Sequence, residues 1–266
     1  HLLIGRDPMN INALHHPSQP ARGLWDMGAV GAGVEIALWD IVGKALGVPL
    51  YTLLGGKLRD SIRMYCDCHA GVFWTASEFA SRWQQAYDGG GLDPAYTVEA
   101  FVQMALRVEE EGFTCIKFDA DFASPYKRDP YDRSMSRLEK AHIVEAMQAV
   151  RNALDPATDL ALDLHGVYNT TDALSIAKAL ESLDLLWLED PVRWEWGNVD
   201  AMAKITMQTR TPICTGEILY GAKQHRDLVV SQACDLLEPD FPRSGGPIEM
   251  RRIAEMADMY YMSIAP

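Results

Sequence analysis

The chain has 266 residues, 48% of them hydrophobic, enough to bury one large core or two modest ones. Its 24 basic and 37 acidic residues leave a net charge of −13, which argues against nucleic acid or an anionic membrane as partner. The five cysteines (Cys66, Cys68, Cys115, Cys214 and Cys234) are odd in number and form no CxxC pair, so they read as packed free thiols of a reducing compartment.

The first twenty-odd residues, rich in Pro, His and Asn, read as loop. From Leu24 to Leu46 the segment LWDMGAVGAGVEIALWDIVGKAL predicts a closely packing helix that Gly47 stops, and PLYTLLGG a second, short one. Then strand and helix alternate. Residues 61–71 (SIRMYCDCHAG) predict a strand, 97–113 an amphipathic helix, CIKFD (115–119) a strand and 136–154 a helix. LALDLHG follows as a strand, and 171–183 as a helix with Thr170 or Thr171 as N-cap. LLWLEDP, PICTGE, LLEPD and YMSIAP are strands, separated by helices around 199–208, 221–232 and 247–259.

Such an alternation predicts a parallel sheet with crossover helices, which a doubly wound sheet and a (β/α) barrel both satisfy. The polar residues decide for the barrel. Lys117 and Asp119, Asp163 and His165, Glu189, Glu217, and Glu238 and Asp240 all fall at the C-terminal ends of successive strands. A closed barrel brings such ends around one mouth, where its chemistry sits.

Asp163 and His165 stand two residues apart in a strand-like run, so strand alternation predicts that they share a face, opposite Leu162 and Leu164. Asp163, Glu189 and Glu217 add one carboxylate from each of three consecutive strands, spaced 26 and 28 residues apart. A single acidic residue at a strand end is ordinarily a solvated charge or a helix cap. Three converging on one mouth would repel one another unless a cation neutralised them, and all-oxygen ligation favours Mg²⁺.

The segments VEIALWDIVGKALGVPLYTLLGG, IKFD, LDLHG, WLEDP, TGE, and EPD followed by SGG resemble, in order and spacing, the mandelate racemase-like branch of the enolase superfamily, specifically its acid-sugar dehydratases. The resemblance implies a modified TIM barrel, (β/α)7β, under an α+β N-terminal capping domain. Residues 1–60 would be part of the cap and 61–266 the barrel. It implies Mg²⁺ on Asp163, Glu189 and Glu217, binding the substrate carboxylate while a base takes the α proton, a pattern of that superfamily. Metal is needed because the enediolate carries more charge than the ground state.

By the same resemblance His165 is the general acid for the departing β-hydroxyl, and in some members also a base. The KxK motif of the racemases is replaced by Lys117-Phe118-Asp119. Lys117 is then either a contact for the substrate carboxylate or a lysine held by the site's acids, and Asp119 has no assigned role. Asp240 would orient a histidine after the seventh strand, expected directly beyond Pro266. A sheet of seven parallel strands would leave unpaired edges, so the chain is expected to be incomplete at both ends, lacking its last strand or strands.

His15, His16, His142 and His225 are expected on the surface, and His69 only as a weak candidate for the mouth. Trp187, Trp194 and Trp196 read as packing, with Trp194 or Trp196 as alternatives for shaping a pocket. Arg193 and Tyr168 are candidates for binding substrate hydroxyls or carboxylate. The predicted activity is a Mg²⁺-dependent hydro-lyase acting on a sugar acid such as mannonate, galactonate or gluconate, giving a 2-keto-3-deoxy acid. Its rivals are a racemase or epimerase of the same branch, an inactive barrel that only binds, and a Schiff-base lyase using Lys117. With no signal-peptide pattern and no apolar run of bilayer length, a cytoplasmic protein is expected, with a small-molecule substrate, no nucleic-acid or membrane partner, and homo-oligomeric assembly implied by the resemblance.

Overall fold

The computed structural model describes residues 3–15, 29–70, 96–120, 126, 132–193 and 199–266, of which 14 and 15 by backbone alone. Helices α1 (Ile11–His15), α2 (Ala29–Leu46) and α3 (Leu50–Leu53) come first. The alternation then runs β1 (Cys66–Cys68), α4 (Val98–Glu110), β2 (Cys115–Asp119), α5 (Arg137–Ala153), β3 (Asp159–Asp163), α6 (Thr170–Ala179) and β4 (Trp187–Glu189). It continues through α7 (Val199–Thr206), β5 (Ile213–Thr215), α8 (Gly221–Val230), β6 (Leu236–Leu237), α9 (Pro247–Met259) and β7 (Ser263–Ile264).

The strands form one seven-stranded sheet in the unbroken order β1 to β7, and the pairings from β1 to β5 are parallel. A doubly wound sheet would reverse its order at a switch point. This one does not, and it has the strand order of a (β/α) barrel.

Two sequence expectations need correction here. The N-terminal stretch expected as loop contains α1, entered through a turn in which Asp7 accepts from the backbone of Met9 (2.9 Å) and the side chain of Asn10 (3.1 Å). Helix α6 is capped by Asn169, not by Thr170 or Thr171: its side-chain oxygen accepts from the N–H groups of Thr171 and Asp172, both at 3.0 Å. The amide oxygen reaches two orphan donors of the first turn from a residue still in extended geometry.

The chain divides into two compact units, one comprising His1–Ile62, Thr215–Ser231 and Leu237–Pro266, the other Arg63–Cys214 and Gln232–Leu236. In the second unit every residue of β2 is buried, as are Leu160 to Asp163 of β3. Strands covered on both faces read as near-continuous apolar runs, which is why CIKF and LALDL carry so few polar residues. Helix α4 presents Phe101 edge-on to Phe118 of β2 (centroids 5.3 Å) and to Tyr96 (4.9 Å), contacts adding about 0.5–1.5 kcal/mol each beyond burial. Tyr96 in turn donates its phenol hydrogen to the carbonyl of Asp119, fixing the end of β2. Helix α5 opens with a full capping box: Ser136 accepts from the Glu139 amide at 3.0 Å, and the Glu139 carboxylate accepts from the Ser136 amide at 3.3 Å.

In the first unit a fully buried carboxylate, Glu35 of α2, accepts from Trp39 Nε1 (3.1 Å) and from the Ile248 amide (2.8 Å). The latter belongs to the first turn of α9, whose own N-cap residue, Gly246, has no side chain to offer and whose start is occupied by Pro247. A negative charge is favoured there by the orphan N–H groups and the helix dipole.

Beyond β3 the backbone turns left-handed at His165 (φ 46°) and Gly166 (φ 64°). The turn is zipped to the end of β4: Leu164 N–H donates to Glu189 O (3.1 Å) and Gly166 N–H to Asp190 O (2.7 Å), with Val167 bridging Val192. The two loops lie so close that a Cβ on Gly166 would sit 2.6 Å from Arg193 Cα. Gly47 has a similar φ of 68° but open space around its Cβ position. Gly47→Ala is therefore expected to cost about 1 kcal/mol of left-handed strain, and Gly166→Ala at least about 2 kcal/mol more for the clash. Urea denaturation of the full-length protein checks this, and equal losses at both positions would contradict it.

Candidate active site

Strands β2, β3 and β4 end in step. Asp119 pairs in register with Asp163, and Asp163 with Glu189. Each strand end therefore delivers one carboxylate to the same edge, and all three are buried, Glu189 to 1% exposure. Neighbouring parallel strands lie about 4.8 Å apart, so uncompensated charges at that spacing and burial would be costly.

Lys117 supplies part of the compensation. Its ammonium lies 2.7 Å from Glu189 Oε2 and 3.5 Å from Asp163 Oδ2, itself 5% exposed. It stands 5.4 Å from the Tyr65 ring centroid, within cation–π range, and Tyr65 meets the Trp187 ring edge-on at 5.4 Å. Trp187 Nε1 also donates to Glu189 Oε2 at 3.2 Å, so this tryptophan, expected only to pack, helps to orient a candidate ligand.

His165 reaches the same cluster by a different route from the one strand alternation predicts. β3 ends at Asp163, and the left-handed residue His165 lies outside the strand. The same-face argument therefore fails. The turn instead folds the imidazole back, so that Nε2 lies 3.6 Å from Asp163 Oδ2 and 3.7 Å from Asp119 Oδ2. Asp163 secures the turn by accepting from the His165 amide at 2.7 Å. A polar pair at the end of an apolar run was the legible signal; the turn that joins it was not. His69, one residue past β1, adds a second imidazole, with Nδ1 3.1 Å from Asp119 Oδ2.

The donor atoms of Asp119, Asp163 and His165 all lie within 4.8 Å of one another, a set able to hold a metal ion. Asp163 and Glu189 are hard oxygen donors that already face a positive charge, the Lys117 ammonium. That donor chemistry fits a divalent cation such as Mg²⁺.

Glu217 and Asp240 belong to the other unit. Glu217 is half-buried and follows Gly216, where the backbone takes φ 128°. Asp240 accepts from the Arg243 amide at 2.5 Å, and its carbonyl accepts from Ser244 at 2.7 Å, closing the turn before α9. His225 is fully buried rather than on the surface, its ring nitrogens 2.9 Å from Gly221 O and 3.2 Å from Gly216 O. Burial pushes its pKa down, as it does that of the half-buried His142. His142, also expected on the surface, stacks near Tyr126 and Phe101.

Tyr168 is a further correction. It is 1% exposed and donates its hydroxyl to Glu139 Oε1 at 2.8 Å, so it faces the capping box of α5. Arg193 is exposed; Trp194, Trp196, His16 and the side chain of His15 lie outside the described residues. The cysteines are free and mostly buried. Burial pushes the Cys68 thiol far up, with Cys66, Asp67 and Asp119 adding to the effect, and raises Cys115 to about 11. Both shifts disfavour the thiolate form.

Tyr168→Phe is expected to lower stability by about 1–2 kcal/mol, because it removes a hydrogen bond to a buried carboxylate, while leaving the KM for substrate unchanged. Thermal denaturation beside steady-state kinetics checks it. A raised KM with unchanged stability would return Tyr168 to the binding site.

Comparison with known proteins agrees with this geometry. Residues 100–266 match the enolase C-terminal domain-like family, and residues 1–55 match the mandelate racemase/muconate lactonizing enzyme N-terminal domain. A D-xylonate dehydratase of Haloferax volcanii is 38% identical over 99% of this chain, and a D-galactonate dehydratase of Variovorax paradoxus 32% over 99%. The chain covers 60% and 61% of those two proteins, about three fifths of their length. Among solved structures, a mandelate racemase/muconate lactonizing enzyme-like protein from Rubrobacter xylanophilus superposes with a TM-score of 0.86 at 35% identity, over 100% of this chain and 66% of that one.

Proposed function

The chain belongs to the enolase superfamily, in its mandelate racemase-like branch, and from that membership we propose that the full-length protein is a Mg²⁺-dependent dehydratase of a sugar acid. The product is a 2-keto-3-deoxy acid. The observation that carries this reading is the imidazole of His165 set 3.6 Å from the carboxylate of Asp163, beside the Lys117–Glu189 pair. An acid stands next to a candidate metal ligand, as β-elimination requires. Relatives named for D-xylonate, D-galactonate and D-gluconate support an aldonate as substrate.

In this reading Asp163, Glu189 and Glu217 would hold the ion, which would supply stabilisation of negative charge on the substrate. A base takes the C2 proton, and the electron pair of that C–H bond passes into the carboxylate as the enediolate. Asp240 is the residue that would orient that base. As the pair returns to form the C2–C3 double bond, the C3–O bond breaks. His165 gives its proton to the departing hydroxyl, which leaves as water. The enol then tautomerises to the 2-ketone. Lys117, an ammonium already beside two of the carboxylates, stabilises negative charge on the substrate carboxylate in the same step.

Among the described residues no helix is long and apolar enough to cross a membrane. The free, buried cysteines support a cytoplasmic setting. Assembly as a homo-oligomer belongs to the same reading.

A Mg²⁺-supplemented screen of aldonates, starting with D-xylonate, is expected to yield 2-keto-3-deoxy product. His165→Asn is expected to slow it about 10²–10⁴-fold, the usual worth of a positioned acid or base. C2 hydrogen exchange in deuterated water with no elimination by the wild type would instead identify an epimerase. Full activity in His165→Asn would remove this residue from the mechanism.

A further inference from the structure

The polar groups around β1, β2 and β3 contain one element that the dehydration scheme leaves unused. Asp119 lies between two imidazoles: its Oδ2 is 3.1 Å from His69 Nδ1 and 3.7 Å from His165 Nε2. It is the last residue of β2, in register with Asp163 and buried to 3% exposure. Its backbone is pinned by the Tyr96 hydroxyl, which is itself set by its ring contact with Phe101.

We infer that Asp119 is a positioning residue for His165, and that His69 holds the same Asp119 oxygen in place. The inference rests on the dehydratase reading of the site and assigns the residues that aim its acid.

Two carboxylates face the His165 ring, and they are not equivalent. Asp163 accepts from the His165 amide at 2.7 Å and lies 3.5 Å from the Lys117 ammonium. Its oxygens are therefore committed to the turn and to the cation site. Asp119 Oδ2 lies beside the same ring nitrogen, Nε2, at 3.7 Å and is in turn 3.1 Å from His69 Nδ1. A ring carried by a left-handed turn, with 24% of its side chain exposed, needs a fixed acceptor to keep one orientation. The charge of the buried Asp119 carboxylate, 3.7 Å from Nε2 and 3.1 Å from His69 Nδ1, supplies that fixed partner. The His69 side chain is 17% exposed and comes from the neighbouring strand end, so it can fix Asp119 without obstructing His165. The chain Tyr96, Asp119, His69 and His165 thus joins the segment before α4 to the C-terminal ends of β1, β2 and β3.

The test uses the full-length protein with Mg²⁺ and an aldonate in deuterated water, comparing wild type with Asp119→Asn and His69→Gln. Three quantities are read: 2-keto-3-deoxy product, deuterium at C2 of recovered substrate, and Mg²⁺ affinity. For Asp119→Asn the expected result is elimination slowed about 100-fold, with KM within about twofold and Mg²⁺ still bound. Recovered substrate then carries deuterium, because the proton is still removed while the hydroxyl is not protonated in time. His69→Gln shifts the same quantities in the same direction by about 10-fold, and Asp119→Glu recovers part of the elimination rate. Unchanged elimination in Asp119→Asn overturns the inference. So does loss of Mg²⁺ affinity, which would make Asp119 a metal ligand.

Should Asp119→Asn fail to fold, His69→Gln carries the test, and an unchanged elimination rate there overturns the inference. If the wild type dehydrates no aldonate, the dehydratase reading fails by itself. The positioning claim is then decided by diethyl pyrocarbonate labelling of His165, read by peptide mass spectrometry. A several-fold faster reaction in both variants supports a ring held by Asp119, and an unchanged rate in both rejects it.

Discussion

The constraint on which this site depends is the burial of negative charge. Asp119, Asp163 and Glu189 end three adjacent parallel strands, each within a few per cent of complete burial. A lone buried carboxylate is strongly disfavoured, and three in register are tolerable only with positive charge among them. The fold answers with Lys117, sent up from the middle of β2 to lie between Glu189 and Asp163. Tyr65 and Trp187 line that ammonium and its carboxylate partner. The same arrangement makes the edge a receptive place for a divalent ion, since hard oxygens and a focused negative field are already assembled there.

Local backbone geometry then converts a charged edge into a candidate acid–base site. The left-handed pair His165–Gly166 reverses the chain directly after Asp163, and the close approach of Arg193 leaves room only for a glycine. A turn of this kind is strained for most residues, and such strain tends to be kept where a side chain must be aimed. Its product is an imidazole within 4 Å of two carboxylates from different strands. Within the same unit, the Tyr96–Phe101–Phe118 contacts and the buried acceptor Glu139 pack around these strand ends.

Much of this was legible in the sequence because it depends on period and spacing. Parallel strands buried on both faces leave apolar runs, and a polar residue at the end of each run marks the functional edge, as CIKFD, LALDLH and LLWLE do. Helix α5 announced itself through Ser136 and Glu139, three residues apart before an amphipathic stretch. What the sequence concealed depends on side-chain reach and turn geometry. Asn169 outcompeted two threonines as a cap because its amide reaches two donors. Tyr168, polar and next to a ligand strand, turned away to Glu139, and His225, polar in a helix, was buried against two carbonyls. Asp119, the polar end of CIKFD, was legible as an edge residue without a role and His69 only as a weak candidate; the pairing of β1 with β2 and of β2 with β3 is what places them beside His165.

The account stands or falls on whether the carboxylate edge is a cation site. Calorimetric titration of the full-length protein with Mg²⁺, repeated on Glu189→Gln, tests this most directly. One ion per chain in the wild type, with binding lost or weakened at least about 10-fold in the variant, is the expected result. Wild-type affinity retained in Glu189→Gln, or no Mg²⁺ bound by the wild type, would contradict it.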